Sequence, residues 1–204
     1  MPSPQSPGNP PSAGSASPRA GNTSLFITGL PKDVTFRELF DGAHHTGKVK
    51  HAHITKTDAR HPNTHAAHII YFAHISAQRL FDRAAKGEFF VRGIRPFVIW
   101  NRRYTAEDRA IGRSRALRII GPAEIVNRES LESFWRRRQS GFYWNTDIVI
   151  ETKKDSWGEA IVFYYFASWE NQAVKAANML AEAFNGVVWV SYTRDLCEDG
   201  VYEW

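Results

Sequence analysis

The run Leu25-Phe26-Ile27-Thr28-Gly29-Leu30 constrains this chain more than any other. Its alternation sends Leu25 and Ile27 to one face of a strand and Phe26 and Thr28 to the other. The run closes on Gly-Leu-Pro and leads into a helix with a readable start. Thr35 and Glu38 have capping-box spacing, in which hydroxyl and carboxylate each satisfy an orphan amide of the first turn. Phe36, Leu39 and Phe40 follow at i, i+3 and i+4, so one helical face is apolar and must pack on something.

The same grammar continues. The first strand covers residues 25–29 and the first helix 36–44. After Gly47, residues 49–55 alternate as a second strand, 56–63 form a loop with Asp58, Pro62 and Asn63, and 66–72 make a β-rich third strand. Ser76 precedes an amphipathic helix carrying Ala77, Leu80, Phe81 and Ala84, which stops at Gly87. Residues 89–91, Gly93 and 97–101 complete a hairpin-like pair, with Pro96 at a strand start. This order is the ferredoxin-like βαββαβ unit.

A basic connector over 104–115 follows, and then the order recurs. Residues 116–120 form a strand closed by Gly121-Pro122. Asn127 caps a helix with Leu131, Phe134 and Trp135 on its apolar side. Residues 146–151 and 160–166 are strands around a turn at 153–158. Ser168 opens a helix with Ala173, Ala176, Ala177, Leu180, Ala181 and Phe184 on one face, and 187–192 are the final strand. Tyr71-Phe72-Ala73 and Tyr165-Phe166-Ala167 occupy comparable places. The fold class is therefore α+β: two ferredoxin-like modules, 24–103 and 116–195, each a four-stranded antiparallel sheet with two helices on one face. A Pro/Ser/Gly-rich tail over 1–22, expected to be disordered, and a C-terminal tail over 196–204 flank them.

The Leu25–Leu30 hexamer resembles the first-strand signature of the RNA recognition motif (RRM), aliphatic-aromatic-aliphatic-x-Gly/Asn-Leu. The family's third-strand motif is matched in degraded form by Thr64-His65-Ala66-Ala67-His68-Ile69-Ile70-Tyr71. In that register Ala67, Ile69 and Tyr71 point into the core, while Ala66, His68 and Ile70 face outward. Ala66 stands where the family carries a stacking aromatic, and His68 is a partial substitute for the second one. The whole chain resembles a divergent tandem-RRM protein of the kind found in filamentous fungi.

The resemblance implies single-stranded RNA, or single-stranded DNA, as partner. Phe26 would stack a base on the open sheet face, with Thr28 beside it. With Phe97 and Ile99 inward, parity puts Val98 and Trp100 on that face, so that His68 and Trp100 flank the base. Lys50, Arg102 and Arg103 would neutralise phosphates. Phe26 could instead meet the second module or the linker, and Arg102 and Arg103 could be a solvated connector. In the second module Arg118 stands where Phe26 stands in the first. The surplus aromatics Trp135, Phe142, Tyr143, Trp144, Phe163, Tyr164, Tyr165 and Phe166 point to an inter-module or protein-partner surface. A protein-interaction scaffold on degenerate RRM folds is the competing reading.

Charge and composition bear on that choice. Net charge is +5 with a pI near 9.4. Lys+Arg against Asp+Glu runs 12 to 6 over residues 1–100 and 10 to 5 over 101–138, but 4 to 10 over 139–204, so the acidic last third repels a polyanion. Arg136-Arg137-Arg138 ends a helix, where cations also suit the dipole. All eight histidines lie between His44 and His74. His51 and His53 project from one strand face near His68, yet their spacing matches no structural zinc module. A cluster titrating near neutrality could make anion binding pH-dependent. No HExxH, GxSxG, GxxxxGK[ST] or CxxC pattern is present, and no enzyme activity, cofactor or metal is expected. The single Cys197, with neither a membrane-length apolar run nor a secretory leader, suggests an intracellular protein of nucleus or cytoplasm.

Overall fold

In a computed structural model, residues 20–56, 64–109, 111–138, 141–152 and 155–198 are described. The expected N-terminal tail through residue 19, the loop from 57 to 63, residues 153–154 of the turn, and the last six residues lie outside them.

Module 1 consists of β1 (Ser24–Pro31), α1 (Phe36–Gly42), β2 (Val49–Lys56), β3 (Thr64–Tyr71), α2 (His74–Ala85) and β4 (Phe97–Trp100). Module 2 repeats the order with β5 (Ala116–Pro122), α3 (Arg128–Arg138), β6 (Thr146–Glu151), β7 (Glu159–Phe166), α4 (Val174–Ala183) and β8 (Trp189–Tyr192). The sheets run β2-β3-β1-β4 and β6-β7-β5-β8, with every neighbouring pair antiparallel. This is the tandem ferredoxin-like α+β architecture. A single π-helical turn, Trp169–Ala173, precedes α4.

The capping box forms as its spacing requires. Thr35 Oγ1 accepts from the Glu38 amide at 3.2 Å, and Glu38 Oε2 accepts from the Thr35 amide at 2.9 Å. Leu39 and Phe40 on α1, with Ala77 and Leu80 on α2, then pack on Leu25, Ile27, Ala67 and Ile69. Strict alternation would turn Leu30 outward, yet it is fully buried. The register explains this. Ile27 faces Ala67 and Leu30 faces His65, so Thr28 and Gly29 together oppose Ala66 in a bulge. Gly29 takes φ +76°, a conformation that glycine adopts without strain. In module 2 the buried Trp135 is ringed by Phe142, Trp144, Tyr164 and Phe166, which accounts for most of the aromatic surplus as core.

The modules are joined through a buried charge cluster rather than a solvated connector. Arg115, expected in the linker, is wholly buried. Its guanidinium donates from Nε and Nη2 to both Asp195 oxygens at 2.9 and 2.7 Å, and from Nη1 to Asp147 Oδ2 and the Phe166 carbonyl, each at 2.8 Å. Its flat face lies 3.8 Å from the Phe40 ring centroid of α1. Asp195 also accepts from the Val49 and Cys197 amides. The expected tail beyond 195 therefore begins inside the molecule: Cys197 belongs to the module 1 core, and its carbonyl accepts from the Gly47 amide at 2.8 Å.

The outer edge of β2 meets module 2 as well. The Ala52 amide donates to the Ala167 carbonyl at 2.8 Å, and His51 bridges Ser168. Beside this edge, Arg37 and Phe40 of α1 and His44 just beyond it line one small cleft with Ile148 and Ile150 of β6 and Leu196.

Candidate nucleic-acid interface

Cross-strand pairing sets what the open face of module 1 displays. Residues directly opposite one another share a face. Phe26 stands between His68 on β3 and Ile99 on β4, and Thr28 stands opposite Phe97. The Phe26 and His68 rings lie 4.6 Å apart, centroid to centroid, at 38°. Asn101 Nδ2 lies 2.9 Å from His68 Nδ1 and 3.1 Å from Ser24 Oγ, which fixes the imidazole against β1. On β2, His53 pairs with His68 and His51 with Ile70, so the three imidazoles form one neighbourhood. Burial, with the field of His53, pushes the His68 imidazole below the usual histidine range. Burial does the same at His51, helped by His53 and His68 and opposed by Glu170. Neutral rings are what the stack presents at neutral pH.

The third-strand register is as expected: Ala67, Ile69 and Tyr71 are buried. The fourth strand is the reverse of the expectation. Trp100 pairs with Leu25 and Val98 with Ile27, so both share the helix side with those buried residues. Trp100 lies 5.2 Å from the His74 ring and 5.3 Å from the Phe81 ring of α2. Phe97 and Ile99, expected to point inward, instead pair with Thr28 and Phe26 and are 75% and 53% exposed. The expected pairing of 89–91 with 97–101 is likewise replaced by a tight turn in which Val91 bridges Ile94.

The expected cations divide into two groups. Lys50 Nζ is held 3.0 Å from Asp108 of the linker, which also pairs with Arg113 at 3.2 Å. Lys50 is therefore tethered by an ion pair, with one carboxylate shared between two cations. Arg102 and Arg103 are exposed just beyond β4, where Asn101 Oδ1 accepts from the Arg103 amide. The linker is pinned beside this face, with the Thr23 amide donating to the Thr105 carbonyl at 2.9 Å. Thus Phe26, Thr28 and His68 are brought together with Phe97, which sequence reasoning missed, while Trp100 is excluded. The signal that could have found Phe97 was the buried pair Leu25 and Ile27, once β4 is aligned against it.

In module 2, the equivalent of Phe26 is Arg118, between Phe163 and Ser191, and the equivalent of Phe97 is Trp189. This sheet therefore carries an aromatic at the His68 position. The same register aligns Tyr71 with Phe166, one residue away from the expected match with Tyr165. Among the described residues no group of three or more His, Cys, Asp or Glu side chains is placed to hold a metal ion, and no helix is long and apolar enough to cross a membrane.

No family model matches this chain and no curated protein sequence does. Solved structures do. A Sex-lethal protein–RNA complex shares 16% identity, with 84% of this chain and 99% of that one aligned and a TM-score of 0.33. The Sex-lethal RNA recognition domains 1 and 2 from Drosophila melanogaster share 20%, over 84% and 100% of the two chains, with a TM-score of 0.31. The first two RRM domains of the yeast poly(U) binding protein share 14%, over 84% and 99%, with a TM-score of 0.35.

Proposed function

We propose that this chain binds single-stranded RNA across the open face of module 1, without catalysis. The observation that carries the reading is the Phe26–His68 ring pair, fastened by Asn101 on a bare antiparallel sheet. Two half-exposed rings inclined at 38°, with exposed Phe97 beside them, offer stacking area to a nucleobase and little else. Thr28 supplies a hydroxyl at the same edge. Arg102 and Arg103 stand where the strand leaves the sheet, free to take phosphates. Lys50, tied to Asp108, is less free to reach a phosphate, so stacking carries more of the affinity than ion pairing. Single-stranded DNA would meet the same rings.

The test is fluorescence anisotropy with a randomised single-stranded RNA pool at two salt concentrations. Phe26→Ala is expected to weaken binding about 10- to 100-fold, the loss of one stacking platform of ~1–3 kcal/mol. Two phosphate contacts would give a shallow slope of log affinity against log salt, on the order of −1.4. An unchanged affinity in Phe26→Ala would refute the reading.

A scaffold reading draws on a different observation. Trp157 and Tyr143 of module 2 are 89% and 85% exposed, far from the module 1 face in sequence and on loops. A protein partner there would bind in a salt-tolerant way and would respond to Trp157→Ala but not to Phe26→Ala.

A further inference from the structure

Where the open face of module 1 runs into module 2 there is a cleft of about 270 Å³. It is lined by Lys50, His51 and Ile70 of module 1, Thr105 of the linker, and Ser168, Glu170 and Asn171 of module 2. We propose that this cleft is a guanine-selective base pocket for the nucleotide adjacent to the one stacked on Phe26 and His68. The proposal rests on the RNA-binding reading of module 1 and names what that face selects.

Position comes first. Ile70 lies two residues beyond His68 on β3, about 7 Å along the strand, and on the same face. A chain with one base on the Phe26–His68 pair therefore delivers its neighbour over Ile70 and into the cleft. Ile70 offers an apolar floor, and the far wall belongs to the π-helical turn that opens with Trp169. Such turns are rare and occur disproportionately at functional sites. Here the turn brings Glu170 and Asn171, both exposed, to the rim.

The polar groups then decide the ligand. Glu170 is an acceptor-only carboxylate when ionised and can take two parallel N–H donors. Asn171 adds an amide donor and acceptor. Lys50 adds an ammonium donor, held in place by Asp108. Ser168 is 1% exposed, and its Oγ has no hydrogen-bond partner. A phosphate is a poor fit, because the Glu170 carboxylate repels it. A base edge with two adjacent N–H donors beside an acceptor is a good one. Guanine alone presents that edge, with N1–H and the N2 amino group next to O6. Glu170 would accept from the first two, and Lys50 or Asn171 would donate to O6. Uracil, cytosine and adenine each offer a single donor position on the same edge and leave the carboxylate half-satisfied.

The experiment uses the full chain and four single-stranded RNA 10-mers: oligouridine, and oligouridine with one central guanosine, adenosine or cytidine. Anisotropy is expected to give about tenfold tighter binding for the guanosine oligomer. Glu170→Gln should bring it within twofold of the other three and leave the melting temperature unchanged, since Glu170 is exposed. Phe26→Ala should weaken all four together. Equal affinities for the four oligomers in the parent chain would overturn the pocket, as would a guanosine preference that survives Glu170→Gln. Either result, with Phe26→Ala still weakening every oligomer, leaves the RNA-binding face standing. Failure of all four to bind overturns face and pocket alike.

Discussion

The two modules carry the same sheet and spend its open face differently. At equivalent register, module 1 sets Phe26 between His68 and Ile99, whereas module 2 sets Arg118 between Phe163 and Ser191. The first arrangement is a half-exposed ring pair. The second places a charge where a ring would stack, in a module whose Asp and Glu outnumber its Lys and Arg. Part of the module 2 sheet is also consumed internally, since Ile148 and Ile150 of β6 face α1 and Leu196. One repeat leaves its ring pair accessible on the sheet face, and the other turns part of its sheet into a seat for its neighbour.

The largest test of that division is to unseat module 1. Arg115 is buried between Asp147 and Asp195, and it reaches Phe40 as well. Burial opposes the Arg115 charge, but Asp195 and Asp147 more than offset it and raise its pKa. At Asp147 burial outweighs the pull of Arg115, so its carboxyl is lifted, and its Oδ1 has no hydrogen-bond partner. Arg115→Met strands two carboxylates inside the joint and should cost about 3–5 kcal/mol in urea denaturation. Adding Asp147→Asn and Asp195→Asn should recover part of the loss, because neutral amides bear burial better than unpaired charges. A cost below about 1 kcal/mol for Arg115→Met would mean that the modules are seated by something else.

How much of this was legible in the chain depends on the range of the interaction. The Thr35–Glu38 box, the Asn127 cap and the β3 parity are local patterns, and the structure follows them. The Asn127 carboxamide oxygen accepts from the Ser130 amide at 2.8 Å, three residues on. What local patterns could not supply was pairing between distant segments. Trp100 and Phe97 exchange faces because β4 takes its parity from Leu25 and Ile27, some 70 residues earlier. Arg115 reads as one more cation in a basic connector, and only Asp147 and Asp195 reveal its role. Cys197 and Asp195 sit in a segment with no periodicity at all, so nothing nearby marks them as buried. Lys50 has the chemistry of a phosphate ligand, but Asp108, within the linker, already holds it.

A smaller effect separates the modules by pH. Module 1 holds every histidine of the chain, and module 2 has none. His51 and His68 sit below the ordinary value of 6.5 in the folded protein, chiefly through burial, so the unfolded chain takes up protons first as pH falls. The stability they confer is fully present above about pH 6.5 and drains away as pH falls through the lowered folded values. Urea midpoints measured across that window should fall with acidification. The change should flatten in a His51→Gln, His68→Gln variant. A slope unchanged in the double variant would place the proton uptake elsewhere.

The smallest expected effect sharpens the comparison most. Arg118 occupies the Phe26 position, so the two substitutions to alanine probe the same site on the same fold. If module 2 uses its sheet as a seat, Arg118→Ala should shift RNA affinity by no more than about twofold, the range of an ordinary surface change. If its guanidinium takes a phosphate, affinity should fall for every sequence, and the slope against log salt should shrink by about 0.7. Phe26→Ala should do the opposite, lowering affinity with the slope intact, because a ring contributes no released counterion. The pair of slopes, rather than either affinity, tells a stacking face from a charged one. Equal slope changes in both variants would show that the two sheets meet RNA alike and would end the contrast between them.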